Sequence, residues 1–108
     1  MVLTRDVKET VKERAVRDPA FAKAMLDEAA MAYLNGEPHV ARLILRDLVN
    51  ASVGFEALAT ETNRPSKSLH RMLSEKGNPS MDNLAAIFGA LRRRLGVTIE
   101  AHAVVMEH

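Results

Sequence analysis

Cysteine and tryptophan are both absent from the 108 residues, and aromatic side chains make up only 4% of them. Without cysteine there is no disulfide framework, no thiolate-ligated zinc and no thiol nucleophile, and an intracellular compartment fits. Scarce aromatics beside plentiful Ala, Leu and Met argue against a β-sandwich and for helices packed through small, flexible aliphatic groups. Long apolar runs are missing too. The longest, Leu84 to Leu91, is broken by Gly89 and falls far short of the ~20 residues that a spanning helix needs. The amino terminus, Met1-Val2-Leu3-Thr4-Arg5-Asp6, acquires charge at once, with no apolar stretch of signal-peptide length behind it. The expectation is a cytoplasmic protein without membrane contact.

What is present is the composition of an ordinary globular chain, 47% hydrophobic and 27% charged, in a length that accommodates one core. The formal net charge of +1 hides an uneven distribution. Met1 to Asn63 holds 8 basic and 10 acidic residues, whereas Arg64 to Arg94 holds seven basic ones (Arg64, Lys67, Arg71, Lys76, Arg92, Arg93, Arg94) against Glu75 and Asp82. A basic segment inside a near-neutral chain is the footprint of a nucleic-acid contact, although a solvated helix face gives the same pattern.

Helical periodicity organises the chain. Val7, Val11 and Ala15 outline a first short helix ending before Asp18-Pro19, where Asp18 suits an N-cap and Pro19 the first helical position. A second helix carries Phe21, Met25, Ala29, Ala32 and Tyr33 on one face and stops at Asn35-Gly36. A third starts near Glu37-Pro38, with Val40, Leu43, Ile44 and Leu48 inward and Arg42, Arg46 and Asp47 outward, and closes over Asn50 to Gly54. Phe55, Leu58 and Ala59 define a two-turn helix that must end near Thr62-Asn63, because Pro65 biases Arg64 away from helical dihedrals. Another runs from about Ser66 to Glu75, broken by Gly77-Asn78-Pro79; Ser80 caps a last one from Met81 to about Arg94, with Leu84, Ile87, Phe88, Leu91 and Leu95 at helical spacing. Val97 to Val104 is β-branched and partly alternating, a short strand or an extended tail. The expected fold is thus all-α: a five- to six-helix bundle over 1–96 (N-terminal helices 1–53, a helix pair 55–74, a packing helix 80–96), followed by a tail, 97–108.

The two short helices between Phe55 and Ser74 have the proportions of a DNA-binding helix-turn-helix. Leu58, Leu69 and Met72 fill the angle between them, Ala59 lets them cross closely, and Asn63 takes the left-handed turn that most residues avoid. Ser66, Lys67, His70 and Arg71 are then left on the outer surface of the second helix as base readers. Two readings of Arg92-Arg93-Arg94 stand, a phosphate grip and cations favoured at a helix C-terminus. His39, His70, His102 and His108 lack metal-ligand spacing, and the carboxylate pairs Asp27/Glu28 and Glu61/Glu75 have no neighbouring nucleophile or phosphate loop. No metal, cofactor or enzymatic activity is expected.

The segments Phe55-Glu56-Ala57-Leu58-Ala59, Ser68-Leu69-His70-Arg71-Met72-Leu73-Ser74, Gly77-Asn78-Pro79-Ser80, Asn83-Leu84-Ala85-Ala86-Ile87 and Leu95-Gly96-Val97 together resemble the lambda-repressor-like helix-turn-helix regulators, and within them the phage- and plasmid-type addiction-module antidote proteins. The resemblance covers about Arg42 to Val97. It implies a repressor that binds a double-stranded operator, with Ser66, Lys67, His70 and Arg71 in the major groove and Gly77-Asn78 near phosphate. Such a module reads few base pairs, so a homodimer is implied, held through the tail Val97 to Val105 or through Phe21, Met25 and Tyr33. In the antidote role the DNA-free surface of the first three helices would bind a small basic toxin of the RelE-like ribonuclease group, and the pair would repress its own operon. Two departures stand out: Asn63 and Arg64 replace a Gly and an apolar residue, and Pro65 replaces a hydroxyl cap. They leave open whether the turn is distorted and whether Arg64 faces core or phosphate. A helix-turn-helix used only to bind another protein is the alternative.

Overall fold

The computed structural model describes residues 18–107, and among them the secondary structure is all helical, with no strand. Five helices follow one another: α1 Pro19–Leu34, α2 Pro38–Ala51, α3 Phe55–Thr62, α4 Ser66–Met72 and α5 Met81–Leu95. The helix expected around Val7, Val11 and Ala15 lies outside the described residues.

Local chemistry sets most boundaries. The Asp18 carboxylate accepts from the backbone N–H groups of Ala20 and Phe21, with Pro19 at the first helical position where no donor is needed. The Ser80 hydroxyl accepts from the Asn83 N–H at 3.1 Å and starts α5, and Gly96 ends it at φ 68 in the left-handed region. Asn63 does the same for α3 with a side chain present, at φ 55 and ψ 46. Arg64 N–H reaches back to the Ala59 carbonyl at 3.1 Å and closes the turn, so the departures at 63–65 leave the turn regular.

α1 and α2 form a hairpin packed through small residues. Ala22, Leu26, Ala29 and Ala32 of α1 are buried, facing Ala41, Leu45, Leu48 and Val49 of α2; the alanines let the two backbones approach. This rotates α2 by about one residue from the sequence expectation. Leu45 is fully buried, Leu43 is 44% exposed, and Arg42, expected to face outward, is half-buried. Ile87, Ala90 and Leu91 of α5 complete the core from below α1 and α3. Phe21, Met25 and Tyr33 line its edge, with the Tyr33 ring edge-on to Phe88 at 6.0 Å.

α4 is shorter than its sequence pattern, ending at Met72 instead of near Glu75. At this end Leu73 is the C-cap with its side chain fully buried, and the Ser74 N–H bonds the Arg71 carbonyl three residues back, a tightening that ends the α-helix. Leu58, Leu69 and Leu73 therefore fill the α3–α4 angle, and Met72 and Ala59 are only partly buried at its rim.

The tail beyond Gly96 is extended. Val97 and Ile99 pack against the core edge, and the segment to Ala103 runs beside α1, bordering grooves lined by Lys23, Asp27, Met31 and Leu34.

Candidate nucleic-acid interface

Each helix of the α3–α4 pair turns its apolar residues toward the other, and this decides what α4 presents outward. Lys67, His70 and Arg71 are exposed and Ser66 is half-exposed. Their spacing, i, i+3 and i+4, makes them one continuous face. No acidic residue lies in α4. The side chains of Lys67 and Arg71 make no hydrogen bond or ion pair among the described residues, whereas His70 lies flat on the Phe55 ring. Lys76 and Asn78 are exposed in the loop that follows, beside the same helix end.

Arg64 faces neither open solvent nor the apolar core. Its Nε donates to Asn83 Oδ1 at 2.6 Å and its Nη1 to the Thr62 carbonyl at 2.7 Å, tying the turn before α4 to the first turn of α5. The guanidinium satisfies a carbonyl at the C-terminal end of α3, a position that favours a cation. A shallow hollow beside the turn is lined by Arg64 and Ser66 but also by Glu56, so the basic surface narrows there to α4 itself.

At the other end of α4, Arg42 of α2 donates from Nε to the Ser74 carbonyl and from Nη2 to the Glu75 carbonyl, both at 3.1 Å. No signal in the sequence marked this residue beyond its charge; its partners are backbone atoms 32 and 33 residues away. The helix with the basic face is thus braced at both ends by arginines from outside it.

The Arg92-Arg93-Arg94 run is largely spoken for. Arg92 Nη1 donates to the Val97 carbonyl at 3.3 Å, and Arg93 sits 3.9 Å from the Glu61 carboxylate of α3. Both contacts favour the helix-end reading over a phosphate grip. Among the described residues no group of His, Asp and Glu side chains is placed to hold a metal ion, and no helix is long and apolar enough to cross a membrane. Compared with protein-family models, with curated proteins and with solved structures, the chain matches none.

Proposed function

We propose that this chain is a sequence-specific DNA-binding regulator in which α3 and α4 act as a helix-turn-helix and α4 enters the major groove. One observation carries the proposal: the outward face of a short helix, Ser66, Lys67, His70 and Arg71, is basic and free of carboxylates, while the helix itself is fixed by buried leucines and two arginine braces. A reading helix needs such a combination, since base contacts specify only when the helix cannot rock. Arg71 is the base reader, able to bridge O6 and N7 of guanine, and Lys67 and Lys76 meet phosphate.

Two copies act together. Among the described residues the tail beyond Val97 makes no backbone–backbone hydrogen bond, and its end is apolar and open, with Val104 83%, Val105 93% and Met106 77% exposed. An extended β-branched segment whose backbone groups bond no other described residue is suited to pair with another such segment, and a second copy supplies one by symmetry. Because Val97 and Ile99 cover the core edge, truncation after Glu100 removes the open tail without unroofing the core. In the narrower antitoxin role, the exposed Met31, Leu34 and Leu43 at the α1–α2 end would receive a small basic toxin, and a protein encoded beside this one that co-purifies with it would establish that role.

The deciding experiment is fluorescence anisotropy across a salt series, with a labelled duplex from immediately upstream of this protein's own coding sequence and a scrambled duplex of equal length. The expected result is a preference of at least ~10³ with a steep log–log salt slope. Equal, weak binding to both would move the weight to a protein-interaction role.

A further inference from the structure

We infer that Arg42 is a positioning residue for the basic face of α4, coupling the α1–α2 hairpin to the reading helix; the functional half of this inference rests on the DNA-binding reading above. The geometry is that of a planar fork closing on two successive carbonyls. Arg42 Nε and Nη2 reach Ser74 and Glu75 at 3.1 Å each, and these are the first residues after the chain leaves α4 and Leu73. Only a guanidinium presents two N–H groups in fixed relation for such a pair; a lysine ammonium is a single point of donation.

The position matters because, past the buried Leu73, the other polar contacts of this corner are short-range. Ser74 Oγ donates to Arg71, and Gly77 N–H to Ser74, but both bonds are local and would move with the loop. Arg42 supplies the long-range tie. Arg42 itself is half-buried on α2, with Tyr33 nearby and the Tyr33 ring edge-on to Phe88. A shift of α2 is therefore transmitted to the C-terminal end of α4, where Arg71 sits one turn away from the carbonyls that Arg42 holds. Arg42 is half-buried and turns two of its N–H groups to the Ser74 and Glu75 carbonyls, so its effect on DNA runs through geometry and not through contact with phosphate.

The test uses the full chain with Arg42→Ala and Arg42→Lys, read two ways. Amide hydrogen exchange in the free protein should accelerate by about tenfold or more at Leu73 to Gly77 in Arg42→Ala, with α1 and α3 unchanged. Binding to the duplex from upstream of the coding sequence should weaken by between about twofold and about thirtyfold, the range for residues that act at a distance, while the salt slope stays at the wild-type value. Arg42→Lys should fall between the two proteins, and it carries the measurement if the alanine variant does not fold. Unchanged affinity, a salt slope that falls with the affinity, or exchange that accelerates uniformly across all helices would each overturn the inference. A wild-type chain that binds no duplex sinks the DNA reading instead, and the exchange arm still decides whether Arg42 holds the end of α4.

Discussion

His70 lies face to face on Phe55, ring centroids 3.8 Å apart and planes 19° from parallel. Phe55 is the first residue of α3 and is 5% exposed, while His70 is exposed on α4. The stack therefore joins the buried side of one helix to the outer face of the next and fixes the plane in which the imidazole edge is offered.

A double-mutant cycle with Phe55→Leu and His70→Ala should return a coupling of about 0.5–1.5 kcal/mol in urea unfolding, the usual worth of an aromatic pair beyond its buried area. Phe55→Leu should also weaken binding to the operator duplex without altering its salt slope, because it frees the ring and removes no charge. Zero coupling would mean that the two rings merely lie close.

Within α4 the two exposed cations should behave differently. Arg71→Ala is expected to relax sequence preference by about 1–3 kcal/mol at one position of the site. Lys67→Ala should weaken all duplexes alike and reduce the salt slope by about 1. Competition binding against single-base variants of the duplex separates the two effects. A result in which both substitutions only change the slope would place Arg71 on phosphate as well.

The left-handed turn at Asn63, φ 55, holds a side chain in a conformation that glycine adopts at no steric cost. Asn63→Gly should be neutral or slightly stabilising. Asn63→Val should cost about 1–2 kcal/mol, because a β-branched side chain crowds the following carbonyl. Chemical denaturation of the two variants checks this, and equal stabilities would show that the turn relaxes into another conformation.

This turn was legible in the sequence because Asn63, Pro65 and the apolar spacing around them are local signals. So were Asp18, Ser80 and Gly96, which cap or end helices through contacts within a few residues. The rotation of α2 was not legible. Val40 and Leu43 look like part of an inward face by hydrophobicity alone, yet the hairpin closes on Ala41 and Leu45 beside the expected Ile44 and Leu48, because close approach to Ala22 and Ala29 rewards a small side chain at the contact. The basic face of α4 could be read from spacing. Its two arginine braces could not, since their acceptors are backbone carbonyls and one asparagine fixed only by the tertiary fold.

Gly77 and Gly89 offer a matched contrast. A Cβ at Gly77 would run into the carbonyl oxygens of Met72 and, at 2.5 Å, Arg71, both backbone atoms at the end of α4. Gly77→Ala should therefore cost about 1–3 kcal/mol and displace the loop that Arg42 holds. At Gly89, in the middle of α5, a Cβ meets only the movable Arg93 Nη1 at 3.4 Å, so Gly89→Ala should gain about 0.5–1 kcal/mol from helix propensity. Thermal unfolding of both variants reads the difference, and a stabilised Gly77→Ala protein would show that the loop is free to move off the helix end.

Tyr33 supplies the pH dependence. Among the described residues its Oη is buried and makes no well-formed hydrogen bond, and burial pushes the phenol above its ordinary value; the nearby Arg42 guanidinium pulls the other way, by its charge and by weak hydrogen bonding, but spends two of its N–H groups on Ser74 and Glu75. The folded protein thus holds this proton more tightly than the unfolded chain, whose tyrosine ionises near pH 10. Stability from this group is complete below about pH 10 and is lost as pH rises through the folded value. Tyr33→Phe removes both the unsatisfied hydroxyl and the titration. It should match or exceed the wild type at pH 7, by up to about 1 kcal/mol, and its advantage should widen above pH 10. The chain has one tyrosine and no tryptophan, so tyrosinate absorbance follows this residue alone. A phenol that titrates at its ordinary value in the folded protein, or an advantage that does not grow with pH, would mean that the hydroxyl is solvated and that the Arg42 corner stands open to water.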